Sequence, residues 1–74
     1  MSVVFKKTLV RALHVRSFEF LADPASGWAV LEREDERVSP PQRYTDWHRV
    51  ERAAMRIEQV VGDLERDGWQ QVPA

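Results

Sequence analysis

The side chains suited to acid–base chemistry near neutral pH are two histidines, His14 and His48. His48 lies in Tyr44-Thr45-Asp46-Trp47-His48-Arg49. On a helix Asp46, two positions away, points elsewhere, whereas Glu51 and Arg52, three and four positions on, come within reach. A carboxylate beside an imidazole orients one ring nitrogen and so prepares a base. Such pairs are common and idle on helix surfaces, and this one has no nucleophile to serve. Cysteine is absent, and Ser2, Ser17, Ser26 and Ser39 lack a glycine-flanked elbow. The glycines build no phosphate-cradling loop. The histidines are too far apart in sequence for ligand spacing, and Glu34-Asp35-Glu36 sits in no calcium-loop pattern. The expectation is a non-enzymatic chain with no catalytic, metal or cofactor-binding residues.

Binding chemistry is better represented. Tyr44, Trp28, Trp47 and Trp69 stand at element boundaries. Their ordinary role is to complete a small core, with Trp47 and Trp69 closing the two ends of a helix. Left partly exposed, they join the residue types enriched at interface hot spots, which include arginine. Arg49, Arg52 and Arg56 are spaced by three and four, so a helix aligns them in a basic ridge. Glu51, Glu58 and Glu65 recur every seven residues and form an acidic ridge. Opposed ridges of this kind set the orientation of a partner helix or a homodimer. Trp47, Arg49, Arg52, Arg56 and Trp69 are therefore the expected protein interface, with another protein or a second copy as partner. The alternative partner is nucleic acid. Residues 1–16 hold Lys6, Lys7, Arg11 and Arg16 and no acid, which would suit phosphate contacts.

The elements that must position these residues are, in order, a helix, a hairpin and a second helix. Residues 3–16 fit two readings. Phe5, Leu9, Ala12 and Leu13 recur at helical spacing, yet Val3, Phe5, Leu9, Leu13 and Val15 all occupy odd positions, as in a strand. Helix-favouring composition selects a helix over residues 4–15, with Ser2 as a cap. Phe18 and Phe20 alternate with Glu19 in a strand over 17–22. Asp23-Pro24-Ala25-Ser26-Gly27 is a turn, and 28–33 returns antiparallel. Arg37-Val38 starts a third short strand, and Ser39-Pro40-Pro41 ends regular structure. The long helix spans 46–67, capped by Thr45 or Asp46 and stopped by Gly68. Trp47, Val50, Ala54, Ile57, Val61 and Leu64 form its apolar stripe, with Gly62 placed for close packing. Trp69 and Val72 fold back as a cap or edge strand. This is an α+β two-layer sandwich with the long helix on one sheet face.

That order, helix then hairpin then helix over residues 5–67, resembles double-stranded-RNA-binding folds and small HicA-type toxin domains. Where such toxins carry a glycine before the first strand and a catalytic histidine on the second, this chain has Ser17 and Trp28. The resemblance therefore carries no RNase activity.

Composition is consistent with a single small domain: 74 residues, 43% apolar, 31% charged and net charge −1. Without cysteine no disulfide can staple it, which leans towards a reducing compartment. No apolar run approaches the ~20 residues that span a bilayer. Met1-Ser2-Val3-Val4-Phe5-Lys6-Lys7 reads as neither signal peptide nor anchor. A cytoplasmic address and no membrane partner are expected.

Overall fold

The computed structural model describes residues 2–73. Its elements are β1 (Ser2–Arg11), β2 (His14–Asp23), β3 (Gly27–Glu34), β4 (Arg37–Val38), β5 (Gln42–Tyr44), α1 (Trp47–Arg66) and β6 (Gln70–Gln71). The strands form one antiparallel sheet in the order β4-β3-β2-β1-β6, with β5 also on β3. α1 packs on one face, so the fold is mixed α/β with two layers.

The amino-terminal helix expected over residues 4–15 is instead β1, the turn and the start of β2. Strand alternation wins because Phe5 and Leu9 face α1 and bury against it, and Leu9 is fully buried. The turn that permits this is Ala12-Leu13, joining Arg11 to His14. Ala12 takes φ 53°, the left-handed geometry that two-residue hairpin loops demand and that glycine or asparagine ordinarily supplies. An irregularity between Val3 and Phe5 shifts the register against Leu21 and Phe20. With a strand at this end, the element order no longer matches the double-stranded-RNA-binding and HicA-type resemblance.

The central hairpin follows its sequence signals and extends them, pairing from Arg16↔Glu34 to Asp23↔Gly27. Gly27 has φ 97°, and a Cβ there would stand 2.4 Å from the Tyr44 carbonyl oxygen. Only glycine lets β5 approach this corner. The third strand at Arg37-Val38 is present as β4. Regular structure resumes beyond Pro41 as β5, which pairs Tyr44 with Trp28 and Gln42 with Val30.

α1 starts where the Asp46 side chain accepts a hydrogen bond from the His48 N–H at 2.9 Å. It stops at Gly68, φ 99°, with Trp69 N–H donating to Leu64 O and Gly68 N–H to Glu65 O. That pair of bonds is a Schellman closure. Val50, Ala53, Ile57 and Val61 line its buried face against Leu9, Phe18, Phe20 and Val30. Each large side chain buried this way contributes roughly 1.5–3 kcal/mol. Gly62 does not serve close packing: a Cβ there would meet only the Arg66 Nη1 atom, at 3.9 Å. Val72 follows β6, its N–H donating to Thr8 O at 2.8 Å.

Candidate functional site

The four basic residues near the amino terminus do not share a surface. Lys6 pairs across the sheet with Glu19 and lies on the face away from α1, whereas Lys7 pairs with Phe18 and lies beneath it. Arg11 and Arg16 share the α1 side with Leu9, Arg16 as its direct cross-strand partner. Three of the four have acids within the molecule. Lys6 reaches Glu19 at 3.6 Å, Lys7 reaches Glu58 at 3.0 Å, and Arg11 reaches Asp67 at 3.0 Å. Arg11 also donates to the Asp67 carbonyl oxygen, placing a cation at the carboxyl end of α1, where the helix dipole favours one. Its guanidinium stands 5.6 Å from the Trp69 ring centroid, and Arg16 stands equally far from Phe18.

The expected protein interface is also divided. Trp47 and Trp69 lie at opposite ends of α1, about 30 Å apart at 1.5 Å per residue. Trp69 packs against the core beneath Arg11. Trp47 is different: it remains 45% exposed and rests on Trp28, with ring centroids 5.3 Å apart. Trp28 in turn pairs with Tyr44 across β3 and β5.

Tyr44 links this aromatic strip to the arginines. It lines an open groove with Arg49, Arg52, Ala53 and Arg56. Ala53 is buried and forms the floor, while the three arginines are exposed. Helical geometry puts all three within a sixty-degree arc on the flank of α1 facing β5. Among the described residues, no carboxylate lies within ion-pairing distance of Arg49, Arg52 or Arg56. The Tyr44 hydroxyl donates to Gln42 Oε1 at 2.8 Å, which fixes the groove wall. Three guanidinium groups beside a held phenol can take planar anions in bidentate fashion. The arginine spacing was legible in the sequence. Tyr44 was not, because it joins the ridge only through the pairing of β5 with β3.

One titratable pair was not anticipated. His14 Nδ1 lies 3.0 Å from an Asp35 carboxylate oxygen, and the other carboxylate oxygen accepts the Val15 N–H at 2.9 Å. The bond to His14, and then that from Val15, hold the Asp35 carboxyl below its ordinary value near 3.8. Asp35 has φ 52° in the β3–β4 turn, a geometry that aspartate tolerates. The pair fastens that turn to the start of β2. The surrounding depression is lined by Leu13, Val15, Arg33, Glu34, Glu36 and Arg37, which include no hydroxyl or thiol nucleophile. His48 is exposed, and its side chain makes no hydrogen bond to Glu51 among the described contacts. No cluster of three or more metal-ligating side chains occurs among the described residues. None of their helices is long and apolar enough to cross a membrane.

Comparison of the chain with protein-family models, curated proteins and solved structures found no match.

Proposed function

We propose that this chain is a non-enzymatic interaction module whose working surface is the corner built by Trp47, Tyr44, Arg49, Arg52 and Arg56. The observation that carries this reading is the state of the arginine ridge. Three guanidinium groups line one groove, exposed and without an internal acid. Arginines that fold the chain are found in contacts such as that of Arg11 with Asp67. Arginine, tyrosine and tryptophan are the side chains most often responsible for binding energy at interfaces. The half-exposed Trp47 adds apolar area at the same corner. Trp69, at the far end of α1 about 30 Å away, packs against the core and has no part in this corner.

The nucleic-acid reading of Lys6, Lys7, Arg11 and Arg16 is second. A phosphate would have to displace Glu19, Glu58 or Asp67 from three of these cations, and they lie on two faces of the sheet. The test is capture from native lysate with two variants. Arg49→Glu/Arg52→Glu/Arg56→Glu should lose a protein partner that Lys6→Glu/Lys7→Glu/Arg11→Glu retains. Loss in the second variant alone, with nucleic acid recovered by the unmodified chain, would reverse the ranking. A cytoplasmic setting fits a chain with no cysteine and belongs to the same proposal.

A further inference from the structure

Resting on that reading, we infer that the arginine groove takes a short acidic segment of a partner protein, presenting two or three carboxylates. Arg49 and Arg56 are two helical turns apart, about 10 Å along the axis. Carboxylates seven residues apart on a helix, or three apart on an extended chain, span the same distance. Guanidinium groups bind carboxylates bidentately, and Arg52 lies between the other two to take a third. The aromatic strip of Tyr44, Trp28 and Trp47 continues from the groove and offers an apolar residue of the same segment a seat.

Charge around the groove selects a short anion over a long one. Asp63 stands seven residues beyond Arg56 on the same flank of α1, bonded to Arg66. Glu51, Glu58 and Glu65 occupy the opposite flank, and the whole chain carries net charge −1. A nucleic-acid strand following the ridge would run into Asp63 within one further repeat. A segment with two or three acids ends before it.

The probe is poly-L-glutamate cut to about four residues, which extended span the roughly 10 Å of the ridge, titrated at low salt with tryptophan fluorescence as readout, beside full-length polyuridylate at equal total charge. Poly-L-glutamate should bind at least tenfold more tightly than polyuridylate. Arg49→Gln/Arg52→Gln/Arg56→Gln should weaken it at least tenfold with an unchanged unfolding midpoint. Glu51→Gln/Glu65→Gln should leave it unweakened. Equal or tighter polyuridylate binding overturns the inference, as does poly-L-glutamate binding indifferent to the arginines. Salt-sensitive self-association without poly-L-glutamate binding also overturns it, in favour of a second copy's Glu51 and Glu65. Ridge-dependent capture of a protein from lysate, with no poly-L-glutamate binding, overturns the acidic-segment inference and leaves the corner as an interface. Absence of both removes the interface reading too.

Discussion

The two flanks of α1 carry opposite charges and are held differently. On the acidic flank, Glu58 meets Lys7 of β1, and Glu65 accepts a hydrogen bond from Gln71 of β6 at 3.3 Å. On the basic flank, Arg49, Arg52 and Arg56 face β5, where Tyr44 and Gln42 bond to each other and offer no charge. Both flanks border the same apolar stripe. The acidic one is partly tied to the sheet, and the basic one has no ion pair among the described residues. Exposed ion pairs contribute only about 0–1 kcal/mol each, so the difference concerns orientation and availability more than stability.

The largest effect comes from the stripe between the flanks. Ile57 is fully buried, and Ile57→Ala should cost about 2–5 kcal/mol in chemical denaturation, removing both flanks together. Gly27→Ala should cost about 2 kcal/mol or more, because a Cβ would collide with the Tyr44 carbonyl at a positive φ. Its damage should concentrate on the basic side, seen as faster amide exchange in β5 than in β1. Lys7→Met, which keeps the apolar stem and removes the charge, should cost up to about 1 kcal/mol, whereas Arg52→Met should cost nothing measurable. Gly62→Ala should stabilise by roughly 0.5–1 kcal/mol, since the position has room and a helical backbone.

The smallest effect is in pH. The Asp35 carboxyl is held below 3.8 by His14 and Val15, so its contribution is present above that value. It is lost as pH falls through the lower, folded-state value. Asp35→Asn should therefore flatten the acid limb of the stability curve below about pH 4. An unaltered acid limb would show that the His14–Asp35 contact does not persist in solution.

Much of the fold was legible from local signals. Phe18 and Phe20 alternate, Asp46 caps, Gly68 stops, and the apolar stripe between them has helical period. β1 was not legible, for reasons specific to it. Ala12-Leu13 lacks the glycine or asparagine that announces a two-residue hairpin, and Lys7 and Arg11 occupy the face that meets α1. Their apolar stems and paired charges let them sit there, which no propensity scale registers. The arginine ridge followed from spacing alone. Its separation from Trp69, and its junction with Tyr44, depend on pairings between residues distant in sequence.

The most direct test sets the flanks against each other. Arg49→Gln/Arg52→Gln/Arg56→Gln and Glu51→Gln/Glu58→Gln/Glu65→Gln would be compared in denaturant unfolding and in partner capture. The arginine variant should keep its unfolding midpoint and lose the partner. The glutamate variant should lose up to about 1 kcal/mol of stability and keep the partner. An arginine variant that is destabilised but still captures the partner would contradict the proposal that this flank is the binding surface.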